Sequence, residues 1–339
     1  MKKILIIGNM GYIGPVLTAH LKQNRNDYDV TGFDLGLFGH CLFNAQSLPE
    51  ILLNQQYYGD VRNFPAEILE GIDSVIYLAA ISNDPMGKEF EKLTHEINHK
   101  ACVEIAKLAK EKGVKNFVLA SSCSVYGAGG MEAKKEVDDL APLSAYAISK
   151  VEAEKSLEGL AGDNFKITCL RFATACGDSP RLRLDLILND FVTTAILKNE
   201  ISILSDGTPL RPLIHVKDMS RALEWAMNRD KGENFLIVNA GANSWNFSVL
   251  ELAERVSKAL GGVTIKINKD APPDKRSYKV NFDKFESLAG DLKCKEDIHE
   301  TILALASSVR NSGFINKDFY SSDFIRLNVL RKMQKQGIV

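Results

Sequence analysis

Residues 1–17, MKKILIIGNMGYIGPVL, decide how the chain is read. Ile4 to Ile7 is an unbroken apolar run, the pattern of a parallel strand covered on both faces. Gly8-x-x-Gly11-x-x-Gly14 follows at once, and a helical pattern covers residues 12–24. Glycines at 8 and 11 permit a tight turn that brings backbone N–H groups, with Tyr12 and Ile13 beside them, close to a pyrophosphate. Gly14 lets the helix pack on the strand. A glycine fingerprint alone is a weak signal, but this one has a strand before it, a helix after it, and an acid at the right distance. That acid is Asp34, twenty positions beyond Gly14, at the end of the second strand DYDVTGFD. A carboxylate there accepts both hydroxyls of an adenosine ribose. It would repel a 2′-phosphate by several kcal/mol in partly dry surroundings. The expected cofactor is NAD rather than NADP.

Moving outward, the alternation continues. Strand patterns at 51–59, 74–80, 116–122 and 166–172 are separated by helical patterns at 94–112 and 143–160. Repeated βα units imply an α/β fold, a doubly wound parallel (Rossmann) sheet. From about residue 176 the pattern loosens, with a helix near 185–198, a strand and helix in LIHVKDMSRALEWAM (213–227) and a strand in FLIVNAG (235–241). The expected division is an NAD-binding domain over 1–175, with returning segments near 212–241, and a smaller substrate-binding lobe with a helical tail over 176–339. In the tail, apolar residues at 324, 327, 330 and 333 predict an amphipathic helix that caps the lobe or packs on a partner subunit.

Composition narrows the partners. The chain has 339 residues and a net charge of -1, which favours neither nucleic acid nor an anionic membrane as partner. No stretch approaches the roughly 20 apolar residues that span a bilayer. Six cysteines are scattered without CxxC spacing, so a reduced, cytoplasmic protein is expected.

The second informative stretch is YAISK, residues 146–150. Tyr146 and Lys150 fall four residues apart and share a helix face. A phenol with a pKa near 10 is a poor base at neutral pH. The neighbouring ammonium and a positive nicotinamide would both favour phenolate, and a drop of about three units corresponds to roughly 4 kcal/mol. One βα unit earlier, the strand end SSCSVYG (121–127) offers a hydroxyl to align a substrate oxygen. Together these residues point to hydride chemistry on an alcohol or ketone.

The combination of GNMGYIG, Asp34, GDVRN, YLAA, Asn98, SSCSVYG, YAISK, LRF and DGTPLRPLIHVKD resembles the extended short-chain dehydrogenase/reductase family, especially its nucleotide-sugar epimerases. The resemblance implies Ser122 as catalytic hydroxyl, Tyr146 as acid/base and Lys150 as its partner and a ribose ligand. It implies Asp60 and Val61 around adenine, Leu78, Ala79 and Ala80 along the cofactor, and Asn98 near the nicotinamide. For a nucleotide-diphosphate sugar it implies Arg211 and Arg276 on the diphosphate, Asn189 near a phosphate, and Thr174 where UDP-galactose-type epimerases carry an asparagine. It also implies a homodimer through helices 94–112 and 143–160. Cys123 and Ser124 stand where the family's 4,6-dehydratases have Asp and Glu, which disfavours dehydration. The leading expectation is an epimerase acting through a transient 4-keto sugar. A net 4-ketoreductase or dehydrogenase shares the site, and a non-catalytic NAD-sensing protein would usually lack the Tyr–Lys pair. His95-Glu96-Ile97-Asn98-His99 also matches the HExxH pattern of zinc proteases. No third ligand is evident in the sequence, so no metal is expected.

Overall fold

The computed structural model describes residues 1–23, 27–127, 130–268 and 277–338. Seven parallel strands form the central sheet: β1 (Lys2–Ile7), β2 (Tyr28–Asp34), β3 (Gln55–Tyr58), β4 (Ser74–Tyr77), β5 (Asn116–Ser122), β7 (Lys166–Phe172) and β11 (Phe235–Ala240). Their order across the sheet is β11-β7-β5-β4-β1-β2-β3. The order reverses between β1 and β4, which opens a crevice at the carboxyl ends of those strands, where ligands bind in doubly wound folds. Ile4 to Ile7 and Ser74 to Tyr77 are fully buried, as continuous apolar strands between two helix layers require.

On one face of the sheet pack α1 (Gly14–Lys22) and α7 (Val216–Met227). Flanking the other are α4 (Cys102–Glu111) and α5 (Ala145–Glu158). Leading into α4, α2 (Asp84–Glu89) and α3 (Glu91–His95) are followed by a π-helical turn, Glu96–Ala101. The single helix expected over 94–112 is therefore three consecutive segments. The strand expected over 51–59 is shorter too. Pro49 starts a 3-10 turn, Pro49–Leu52, before the chain extends into β3.

The rest of the chain forms a lobe around a second core. It holds α6 (Ile187–Lys198), α8 (Val249–Ala259) and α10 (Ile298–Asn311), with α9 (Asp283–Leu288) packing instead beside β11. Small sheets complete it. β12 (Asn246–Ser248), β10 (Leu210–His215) and β8 (Thr174–Cys176) make one; β9 (Glu200–Ile203) pairs with β13 (Thr264–Ile267), and β6 (Gly130–Lys134) with β14 (Tyr278–Val280). The tail helix expected from the apolar spacing is α11 (Arg326–Lys335). Its apolar face is turned onto its own chain: Leu330 is fully buried in a cluster with Ile81, Met86 and Phe90, with Leu327 packed against it. Arg331 clamps Glu89 of α2 at 2.7 Å. Among the described residues no helix is long and apolar enough to cross a membrane.

Candidate active site

A cavity of ≈1030 Å³ opens at the carboxyl ends of β1, β2, β4 and β5 and runs under the lobe. That is at the upper limit for a single drug-sized ligand, so it suits a long cofactor with a second molecule beside it. At the cofactor end, Gly8 has φ +89, and a Cβ there would fall 2.4 Å from Ala79 N. A Cβ on Gly14 would fall 2.0 Å from Asn9 O. Both glycines are thus required by close backbone approach, the first by the turn under the phosphate site and the second by the seating of α1. Asp34 closes β2, and its carboxylate accepts from Met10 N at 2.9 Å and Gly36 N at 2.7 Å. Each oxygen keeps an acceptor position for a ribose hydroxyl. Burial pushes the Asp34 carboxyl upward, opposed by those two backbone donors. Arg181, nearby, is held by Glu50 at 2.6 Å rather than offered to a 2′-phosphate. The residues present therefore fit NAD.

The wall beside this groove carries the candidate catalytic side chains. Ser122 ends β5, its Oγ accepts from Ser124 N at 3.2 Å, and it lines the cavity beside the phenol of Tyr146. α5 starts at Ser144, whose Oγ accepts from Ala147 N at 3.2 Å and donates to Asp84 Oδ1 at 2.5 Å. This cap fixes the first turn and hence the direction of Tyr146. Lys150 follows one turn later, buried, with Nζ 5.8 Å from the Tyr146 ring centroid. One further turn along, Glu154 forms a buried ion pair with Arg171 of β7 at 2.8 Å and accepts from Ser121 of β5. The helix is thereby pinned to the two strands that define the wall.

The electrostatics differ from the sequence expectation in one respect. Burial pushes the Tyr146 phenol upward, and what opposes it is the Ser122 hydroxyl and then the Arg183 charge, not Lys150. Burial also lowers Lys150 to about 8. It remains mostly charged at neutral pH but is poised to titrate just above it. In this geometry a second cation, Arg183, acts on the phenol from the lobe.

Sequence reasoning misses Arg183 because Ser82 and Tyr146, the groups it meets at the cavity, are distant along the chain. It is clamped by both oxygens of Asp185 at 2.9 Å and donates to Ser82 Oγ at 2.8 Å, while Asn83 donates to Asp185 at 2.8 Å. Further into the lobe, Asp190 is raised to about 6 by burial, opposed first by the hydroxyl of Tyr320, which donates to it at 2.8 Å. Arg326, at the start of α11, is 2% exposed and gives its guanidinium to the carbonyls of Arg181, Leu182 and Asp323. Arg183, Asp185, Asp190, Tyr320 and Arg326 all line the cavity, together with Ser202–Ser205 and Tyr278. No local motif announces them.

The residues singled out in the sequence fall into three groups. Gly8, Gly11, Tyr12, Ile13, Asp34, Asp60, Val61, Leu78, Ala79, Ala80, Ser122, Tyr146, Lys150, Thr174 and Arg211 line the cavity. Gly14, Asn98 and Asn189 do not. Asn98 is fully buried, and its amide holds both backbone groups of Ile81, at 2.9 and 3.0 Å, and Ser149 Oγ. Asn189 is likewise spent inside the protein, accepting from Gly177 N and donating to Arg183 O, both at 3.0 Å. These two asparagines shape the site from behind: one sets the loop after β4, the other the loop carrying Arg183. Arg276 lies outside the described residues.

A glycine-turn Rossmann sheet whose β5 and α5 bring a Ser–Tyr–Lys set to the cofactor groove defines a nicotinamide-dependent enzyme acting on a hydroxyl or carbonyl. The chain belongs to the NAD dependent epimerase/dehydratase family, whose model matches residues 4–241, and it is accordingly an NAD-dependent enzyme. It is 27% identical over 230 residues to an uncharacterized UDP-glucose epimerase of Bacillus subtilis, covering 65% of this chain and 71% of that one. It is 25% identical over 281 residues to a UDP-glucose 4-epimerase of Streptomyces lividans, covering 76% and 81%. Among solved structures, MoeE5 in complex with UDP-glucose and NAD superimposes with a TM-score of 0.76 at 25% identity, covering 91% of this chain and 99% of that one. Further relatives include a UDP-glucuronate 4-epimerase and a UDP-glucuronic acid decarboxylase.

Proposed function

We propose that the protein is a UDP-sugar 4-epimerase that works through a transient 4-keto sugar. The observation that carries this reading is the convergence of Ser122, Tyr146 and Lys150 on one wall of a cavity whose far end is built by Gly8, Gly11 and Asp34. NAD bound there would take the hydride from C4 of the sugar and return it to the opposite face. The chain's part is proton transfer and orientation. Tyr146, as phenolate, takes the proton of the C4 hydroxyl as the carbonyl forms, and gives it back when the ring is reduced. Ser122 donates to the same oxygen and keeps it in line. Lys150 and Arg183 hold positive charge near the phenolate, in surroundings where each is worth more than in water. The diphosphate is assigned to Arg211, with Arg276 as its second clamp.

Dehydration is disfavoured by the two residues after Ser122. Cys123 is turned into the protein, its thiol donating to Arg171 O at 3.0 Å and pushed up by burial. Ser124 faces the cavity with a buried hydroxyl that has no hydrogen-bond partner among the described residues, suited to a sugar hydroxyl but not to removing a ring proton. We further propose a division into a cofactor domain over 1–175, with returning segments, and a lobe over 176–339. A cytoplasmic homodimer through α3–α5 completes the proposal; Ile148 is exposed on that face. A monomeric mass by light scattering at micromolar concentration would reject the dimer.

The test of function is incubation of purified protein with UDP-, dTDP-, GDP- and CDP-sugars without added cofactor, followed by NMR of the products. Conversion of a UDP-hexose to its C4 epimer with no NADH accumulating is expected. A keto sugar or NADH appearing only on addition of NAD would make the protein a net oxidoreductase instead.

A further inference from the structure

The HExxH segment lacks a third ligand in the sequence, and the fold supplies one. α3 and the π-helical turn set His95 and His99 side by side, rings 4.9 Å apart, and α5 brings Glu152 between them. One donor atom from each residue lies within 4.8 Å of the other two. None of the three lines the active-site cavity. Glu152 Oε2 is 2.9 Å from His95 Nδ1 and 3.6 Å from His99 Nδ1. Those separations bracket the edge of a tetrahedron with zinc-like bonds, about 3.4 Å for metal–ligand distances near 2.1 Å. Neither approach has hydrogen-bond geometry, so Glu152 Oε2 and His99 Nδ1 remain buried polar atoms without a hydrogen-bond partner among the described residues. The other nitrogen of His99 is within hydrogen-bond distance of Ser156 Oγ at 2.9 Å, which fixes the ring and leaves Nδ1 facing the carboxylate. Burial holds His99 below its usual pKa, with the charges of His95 and Lys100 acting the same way and Glu152 against them.

We propose that His95, His99 and Glu152 form a zinc site that staples the helix leading into α4 to the helix carrying Tyr146 and Lys150, with solvent in the fourth position. It is not a protease centre. Glu96, the acid such chemistry would use, is spent on Arg62 at 3.3 Å and Lys92 at 3.8 Å. Two imidazoles and one carboxylate suit zinc and disfavour magnesium, which demands oxygen ligands.

The test uses the full chain stripped with EDTA. Titration with zinc chloride, followed calorimetrically, should show one saturable ion per chain. Cobalt(II) should give visible bands of a tetrahedral nitrogen–oxygen site without thiolate charge transfer, and magnesium should not compete. Glu152→Gln and His99→Ala should each weaken zinc at least tenfold, with His95→Ala, at the more exposed position, standing in if His99→Ala does not fold. Absence of saturable binding, or zinc affinity unchanged in the folded variants, would overturn the site. Since the readout is binding, failure here would leave the epimerase reading untouched.

Discussion

The wall bearing Ser122, Tyr146 and Lys150 and the lobe side bearing Arg183, Asp190, Tyr320 and Arg326 line the same cavity, but they are assembled in different ways. The wall draws on one strand end and the next helix, within about thirty residues of chain, and a short-range device holds each part. A serine cap orients the first turn of α5, and the Glu154–Arg171 pair ties its third turn to the sheet. The lobe side draws on segments more than a hundred residues apart, joined by side-chain pairs such as Asp190–Tyr320 and Arg183–Ser82.

Four variants separate the two regions, in falling order of effect. Tyr146→Phe removes the phenol that Ser122 reaches, and turnover should fall by at least about 10³-fold, within the range for general acid–base groups. Bound NAD, read by chromatography of the denatured protein, should be unchanged; more than a tenth of wild-type turnover would reject Tyr146 as the acid/base. Lys150→Met should cost about 10²-fold in turnover yet stabilise the cofactor-free protein. The buried ammonium has a folded pKa of about 8, below its unfolded value, so it destabilises fully below pH 8, by on the order of 3 kcal/mol. That penalty fades as pH rises towards the unfolded value. Thermal melts at pH 7 and pH 10 should therefore show the variant's advantage shrinking, and an equal or growing advantage would contradict the burial of charge at this position.

On the lobe side, the double variant Arg183→Gln/Asp185→Asn avoids leaving one partner charged and buried. It should lower kcat/KM by roughly ten- to a hundredfold through lost positioning and lost charge near the phenol, with NAD content intact. Tyr320→Phe should have the smallest effect, about two- to fivefold, on the scale of one hydrogen bond. Tyr320 donates to an Asp190 already raised to about 6, so its loss should push that group further up. The acidic limb of the pH–rate profile should then move to higher pH, and an unmoved limb would separate Asp190 from turnover.

The contrast also explains what can be read from the chain before folding. The cofactor groove is legible because each of its requirements is local: Gly8 and Gly14 by backbone clash, Asp34 by its place at a strand end. Asn98 and Asn189 are legible as important but not in their task, since only the folded arrangement shows their amides bonded inward to Ile81 and Gly177. Spacing alone misjudges the state of Tyr146, because it reveals Lys150 but not the depth of burial or the guanidinium arriving from the lobe. The tail helix is visible in its apolar spacing, whereas its docking on Ile81, Met86 and Phe90 depends on a loop and two helices more than two hundred residues earlier. Glu152 is invisible as a companion of His95 and His99 for the same reason.

The most direct measurement is isotopic. UDP-glucose carrying deuterium at C4 would be incubated with the protein in ordinary water and the epimer isolated. A transient 4-keto sugar reduced by the same bound cofactor that oxidised it predicts that the deuterium is retained at C4 of the product. Loss of the label to solvent, or label accumulating in free NADH, would contradict the account.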